Sequence, residues 1–276
     1  MQKNRVGICE WVFPVQGPEA IKWAGRLGFD GIQIAECGGY EADFPLLRSG
    51  VQESYYAARQ ETGVELQALH LWSLCRMACM IHPMQSAAGK IGLLCLEKGI
   101  EACAAMHIPS LMVTSGFFCQ IKNEQDLDIF GQYLRWACIH GKEEGVQIVF
   151  ESALTPTQLQ MLFQQTDNTL KICYDLFNPI RFHCGEPLEE IPQISLSHID
   201  HIHVKDGPEN MIGCTLLGEG TGKFNDVMAL LSRMDYNGWF ISENYYLAPP
   251  ISNRDSFDDA ARKDLATLRK FGGNSI

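Results

Sequence analysis

The sequence predicts a single (β/α)8 barrel domain over residues 1–276. Three observations point to it. Eight short apolar runs of strand length recur along the chain, segments of helical periodicity alternate with them, and the runs are apolar on both faces, as in a parallel sheet covered by helices. Eight such units in a chain of 276 residues suit a closed barrel better than an open doubly wound sheet. The open sheet would also need a phosphate-binding turn, and neither a GxGxxG after the first run nor a GxxxxGK(S/T) occurs.

Taken in order, VGICE (6–10) is the first strand and PEAIKWAGRLG (18–28) its helix, and GIQIAE (31–36) is followed by QESYYAARQETG (52–63). ELQALHL (65–71) precedes GKIGLLCLEKGIEACAAM (89–106), and SLMVTS (110–115) precedes DIFGQYLRWACIHGKEEG (128–145). The second half continues with VQIVFES (146–152) and TPTQLQMLFQQT (155–166), then LKICYD (170–175) and LEEIPQISL (188–196). HIHVKD (201–206) with FNDVMALLSRM (224–234), and WFISEN (239–244) with FDDAARKDLATLRKFG (257–272), complete the set. In RLGFDG, ETGVEL and EEGVQI a glycine stands where a helix would end and an apolar run begins at once, so those connections are short.

Composition narrows the function. With 22 Lys and Arg against 33 Asp and Glu, the net charge is -11, and the basic residues are scattered. That distribution offers no footprint for nucleic acid or an anionic membrane. The opening MQKNRVGICEWVFP has no apolar signal-type run and no later segment has the length to span a bilayer, so the expectation is a soluble, cytoplasmic protein. Eleven cysteines, mostly within apolar runs, read as buried reduced thiols, and their odd number speaks against a complete disulfide framework. No CxxC pair occurs, and Cys75 and Cys79 read as packing residues. The segment CRMACMIHPM (75–84) could cover a pocket or join subunits, so a homo-oligomer is compatible with the sequence.

In a parallel barrel, chemistry gathers at the C-terminal strand ends, so a polar residue that is the last to face inward carries the most information. Side chains alternate along a strand. In VQIVFES this puts Glu151 inward, with Ile148 and Phe150 outward against helices; the same parity turns Asp175, His203 and Glu243 inward. Three converging carboxylates would raise each other's pKa values unless a cation held them. Three oxygen donors and one imidazole suit a divalent metal, with Mn²⁺ favoured and Mg²⁺, Co²⁺ or Zn²⁺ as alternatives. His201, one layer below His203, would support the site from behind, although a histidine in an apolar strand is more often a satisfied core residue.

At these residues the sequence resembles the xylose isomerase-like barrel superfamily, and within it the sugar phosphate isomerase/epimerase group with its tagatose and psicose 3-epimerases and inosose dehydratases. The resemblance spans nearly the whole chain and rests on FES with Glu151, YDLFN with Asp175 and Asn178, HVKD with His203, Lys205 and Asp206, the LGEGTGKF stretch, and NGWFISEN with Glu243. It implies that Glu151, Asp175, His203 and Glu243 are the metal ligands. Asn178 stands where the epimerases often carry histidine, and KDGPEN after the seventh strand lacks their substrate-binding arginine.

The implied reaction is proton transfer next to the carbonyl of a sugar or sugar phosphate through a metal-stabilised enediolate, with Glu151 and Glu243 as the acid–base pair. Trp11, His70, Asn178, His183 and Lys205 are candidate substrate contacts. Trp11 could stack on a sugar face or simply pack, and Lys205 could hold a phosphate, carboxylate or enolate oxygen or pair with a site carboxylate. Asp206 is expected behind the ligands. Elimination from a keto-sugar, a keto-inositol or a 3-keto-glycoside is the alternative outcome at the same site. A nuclease of the AP-endonuclease type would need further ligands and a basic face, and a non-catalytic sugar-binding protein would not need two glutamate bases.

Overall fold

A computed structural model describes residues 4–35 and 44–271. Its strands are β1 (Arg5–Cys9), β2 (Gly31–Ala35), β3 (Glu65–His70), β4 (Ser110–Thr114), β5 (Gln147–Glu151), β6 (Lys171–Asp175), β7 (Ile199–Val204) and β8 (Trp239–Ser242). They are hydrogen-bonded in sequence order and close on themselves, giving the (β/α)8 barrel. The β1–β2, β1–β8, β7–β8, β3–β4, β4–β5 and β5–β6 pairs are parallel.

Ten helices of very different length intervene among the described residues: α1 (Pro18–Leu27), α2 (Ser49–Thr62), α3 (Trp72–Arg76), α4 (Ala87–Met106), α5 (Glu124–Glu143), α6 (Pro156–Gln165), α7 (Asn178–Arg181), α8 (Pro187–Glu190), α9 (Phe224–Arg233) and α10 (Phe257–Phe271). Local signals explain their ends. Gly28 adopts φ 96° and closes α1 in the left-handed region. Thr155 and Gln158 form a reciprocal capping box at the start of α6. The expected helix over 188–196 breaks instead into α8 and the short 3-10 turns Ile191–Gln193 and Leu196–His198. Pro192 has no N–H to donate, so the helix cannot run through it. Glu36, expected at the end of the second strand, lies outside the described residues.

Two compact units divide the chain: Met1–Gln33 with Ala58–Glu65 and Tyr174–Ile276, and Ile34–Ala57 with Leu66–Cys173. In the first, bulk on β8 is matched by absence of bulk on β1 and β2. A Cβ on Gly7 would lie 2.6 Å from Ile241 Cδ1, and one on Gly31 2.8 Å from the Trp239 ring and 3.1 Å from the Glu65 carbonyl oxygen. Arg5 lies over the Trp239 ring, its guanidinium 4.2 Å from the ring centroid. Phe257 of α10 packs on Phe13 and Trp23 at 5.0 and 5.3 Å. In the second unit, Phe130 of α5 meets Phe150 of β5 at 5.2 Å, and buried Tyr133 donates its hydroxyl to the His82 carbonyl at 2.6 Å.

All ten cysteines among the described residues are free thiols. Burial pushes Cys75 up to about 12, which keeps it a neutral packing residue. No helix among the described residues is long and apolar enough to cross a membrane.

The space that glycine leaves for Trp239 is tested by Gly31→Ala. The added methyl has an indole on one side and backbone on another, so the variant should lose about 1–3 kcal/mol of stability, read from urea unfolding midpoints.

Candidate metal centre

In the first unit, three ligand-type residues meet at the C-terminal ends of β6, β7 and β8. Asp175 is the last residue of β6, and its Oδ1 accepts the backbone N–H groups of Phe177 at 2.8 Å and Asn178 at 2.7 Å. The carboxylate thereby caps the turn into α7 with one oxygen and directs Oδ2 toward Lys205, whose Nζ lies 2.7 Å away. His203 is an inward residue of β7, and Glu243 directly follows β8. Glu243 Oε2 accepts from Lys205 Nζ at 2.6 Å and lies 3.5 Å from His203 Nδ1, while Oε1 accepts the Trp11 indole N–H at 2.9 Å. One ligand atom each from Asp175, His203 and Glu243 falls within 4.8 Å of the others, and all three residues are buried.

Burial alone would raise the Glu243 carboxyl, but the Lys205 ammonium, the largest opposing influence, outweighs it and holds the group well below the usual carboxylate range. Two carboxylates and an imidazole, buried and this close, form a donor set that could hold a divalent cation. Lys205 supplies one positive charge between the two acids, so it takes the ion-pair position and not a solvent-facing one.

Behind His203 stands a chain of polar groups. His203 Nε2 is 2.7 Å from Gln33 Oε1, Gln33 Nε2 is 2.6 Å from His201 Nε2, and His201 Nδ1 is 2.8 Å from Asp200 Oδ2. The Cys9 thiol adds a longer contact to Gln33 Oε1, at 3.7 Å. Gln33, His201 and His203 are all buried.

Asp206, next after Lys205, shapes the following loop. Its carboxylate accepts four backbone N–H groups, from Gly207, Gly222, Gly218 and Gly220, at 2.9–3.0 Å. Gly218 has φ 89°, and a Cβ on Gly220 would come within 2.2 Å of Asp206 Oδ1. Asn244, the neighbour of Glu243, accepts the Asp206 N–H at 2.9 Å and donates to the Thr215 carbonyl at 2.9 Å and to Asp264 Oδ2 at 2.6 Å. Burial pushes the Asp264 carboxyl up to about 7, although Leu217, Asn244 and Tyr246 donate to it.

The second unit holds Glu151, the last residue of β5. Thr114 at the end of β4 donates its hydroxyl to Glu151 Oε2 at 3.1 Å and lies 3.0 Å from His70 Nε2. The hydroxyl proton is committed to the carboxylate, so the imidazole N–H is the donor to Thr114. His70 packs edge-on against Trp72 at 5.3 Å.

Of the residues expected to touch substrate, Trp11 and Lys205 hold Glu243, and His70 supports Thr114. Asn178 offers its backbone to Asp175. His183 is 61% exposed and lies 3.4 Å from Glu209. Gln33, Thr114 and Asp200 were not singled out from sequence. The signal for Gln33 was present, because it is a polar residue in the apolar GIQIA run.

A parallel eight-stranded barrel with acids and an imidazole gathered at strand ends defines a barrel with a candidate metal centre. A family model described as a xylose isomerase-like TIM barrel matches residues 21–271, and the chain belongs to that family. It is 28% identical over 224 residues to a 2-epi-5-epi-valiolone 7-phosphate 2-epimerase of an Actinoplanes species, covering 79% of this chain and 78% of that protein. It is 26% identical over 145 residues to inosose dehydratase 2 of Bacillus cereus, covering 44% of this chain and 48% of that protein. Among solved structures, a D-psicose 3-epimerase in the presence of D-fructose superposes with a TM-score of 0.76 at 15% identity, over 98% of this chain and all of the other.

Two outcomes follow from the loop and the network beneath it. Asp206→Ala strands four amides and should cost roughly 3 kcal/mol in unfolding free energy, with faster amide exchange at Gly218, Gly220 and Gly222. Asp264 has a folded pKa of about 7 against about 3.9 unfolded. The folded state therefore keeps a proton that the unfolded chain has lost, and this group lowers stability as pH rises from about 4 to about 7. Asp264→Asn should remove that part of the decline, read as the difference between the two proteins' stability–pH curves.

Proposed function

We propose that the protein is a divalent-metal-dependent isomerase or epimerase of a sugar, a sugar phosphate or a related cyclitol, acting by proton transfer at a carbon next to a carbonyl. The observation that carries this reading is the convergence of Asp175, His203 and Glu243 within 4.8 Å, with Glu243 held ionised beside them. Similarity along 79% of the chain to an epimerase of a phosphorylated valiolone supports the substrate class.

Glu151, Asp175, His203 and Glu243 would hold the cation, and three carboxylates with one imidazole make an oxygen-rich donor set that favours Mn²⁺, with Mg²⁺, Co²⁺ or Zn²⁺ as alternatives. Bound there, the ion would act as a Lewis acid that makes the C–H beside the carbonyl more acidic. Glu243 is the proton acceptor. Its low pKa keeps it deprotonated at neutral pH, and the Trp11 indole fixes the direction of its carboxylate. Lys205 provides positive charge for a phosphate or a developing oxyanion. Glu151, oriented by Thr114 and His70, is the second acid–base group. Proton return to the opposite face of the same carbon gives epimerisation, and return to the neighbouring carbon gives isomerisation.

Elimination is the second reading, supported by the similarity to an inosose dehydratase. The same first deprotonation would be followed by departure of a β-hydroxyl as water.

Incubation of Mn²⁺-loaded protein with ketoses, sugar phosphates, inososes and keto-glycosides in D₂O tests both, followed by NMR and mass spectrometry. Deuterium next to the carbonyl without loss of water is the expected result. Loss of water favours elimination, and the absence of exchange with every metal and substrate counts against catalysis. On a substrate so identified, Glu243→Gln and Glu151→Gln should each lower turnover by about 100-fold or more, and chelation should abolish exchange until Mn²⁺ is restored.

A further inference from the structure

A metal can be bound only by the bare nitrogen of a neutral imidazole, so the tautomer of His203 decides whether the ring can serve. In this chain the tautomer is set by groups on the far side of the ring. Asp200 is the fixed point. Its carboxylate only accepts hydrogen bonds, so His201 Nδ1, 2.8 Å from Asp200 Oδ2, carries a proton. In a neutral ring, His201 Nε2 is then bare, and the group 2.6 Å away must be the donating amide nitrogen of Gln33. That orientation leaves the Gln33 carbonyl oxygen 2.7 Å from His203 Nε2, which must donate to it. The Cys9 thiol lies 3.7 Å from the same oxygen, to which its S–H donates, and 3.9 Å from His203 Nε2. The proton of His203 is thus on Nε2, and the bare nitrogen is Nδ1, which faces Glu243 Oε2 at 3.5 Å.

We propose that Asp200, His201 and Gln33 form a positioning relay that holds His203 as its Nε2–H tautomer and presents Nδ1 to a divalent cation. The proposal rests on the metal centre described under Proposed function and adds the residues that make its imidazole competent. None of the three would touch the cation or the substrate; each acts through the next. The relay also predicts an asymmetry. Two histidines two residues apart on one strand hold opposite tautomers, with His201 in the Nδ1–H form that neutral imidazoles in water adopt less often.

The decisive measurement is two-bond ¹H–¹⁵N correlation NMR of the metal-free protein labelled with ¹⁵N-histidine. His203 should show a protonated Nε2 and a bare Nδ1, and His201 the reverse. Identical tautomers at the two residues, a protonated Nδ1 on His203, or a doubly protonated His201 would overturn the relay. Titration calorimetry with Mn²⁺ provides the second readout. Gln33→Leu removes both contacts and should weaken binding by about 10–100-fold, the usual cost of losing an outer partner of a ligating histidine. Gln33→Glu keeps an acceptor for His203 and should stay within a few-fold of the wild type. A folded Gln33→Leu protein that binds Mn²⁺ as tightly as the wild type, or a folded Gln33→Glu protein that loses as much as Gln33→Leu, sinks the proposal. Opposite tautomers in a wild-type protein that takes up no Mn²⁺ would leave the relay standing and count against the metal centre itself.

Discussion

Charge taken out of water must be met by charge or by hydrogen bonds at close range, because an isolated buried ion is far more costly than a buried pair. At the strand ends this requirement governs everything around Lys205. Its ammonium lies between Asp175 and Glu243, at 2.7 and 2.6 Å, and neither acid relies on it alone. Asp175 also takes two backbone amides and Glu243 takes an indole N–H. Glu243 is consequently held ionised and both acids are fixed in direction, properties that a base and a ligand need. A dication would reinforce the same arrangement, and Lys205 would be the group that has to yield room.

The same requirement explains what could be read from the sequence. Glu151, Asp175, His203 and Glu243 were legible because strand alternation and the apolar outer face of each run place them without ambiguity. Residues that serve those four were harder to read, because their partners are distant in the chain. Gln33 and His203 are 170 positions apart, and nothing local to GIQIA names the histidine. Thr114 ends an apolar strand as many threonines do, and its hydroxyl acquires meaning only through Glu151. Trp11 was legible as a residue after the first strand, but its indole N–H is engaged by Glu243, which leaves it a polar support as well as an aromatic surface. Pro192 was in plain view within LEEIPQISL, where the apolar spacing outweighed the missing N–H.

Fold alone does not choose the reaction, since one barrel hosts many chemistries. Relatives of this chain carry names for epimerisation and for dehydration. In the reading proposed above, both outcomes would begin with removal of a proton beside a carbonyl and would differ in where the electron pair goes next. A set of residues that makes the first step easy is therefore common property, while the outcome falls to whatever surrounds the second carbon. His183 and Glu209 lie on exposed segments after β6 and β7 and differ in that respect from the buried Asp175, His203 and Glu243.

The loop after β7 is tied at one point, the Asp206 carboxylate, and its return through Gly218, Gly220 and Gly222 leaves no room for larger side chains at the crowded positions. The outward stretch through Pro208, Glu209, Asn210 and Met211 makes no contact with that anchor in its hydrogen bonding, and Met211 is 43% exposed. Such a loop separates inheritance from novelty. Substitutions at its tip disturb no hydrogen bond to the anchor, while its stem, with the acid and the glycines, tolerates few changes by necessity of construction. Variation in length or chemistry can therefore be taken up by those four residues without unfastening the stem.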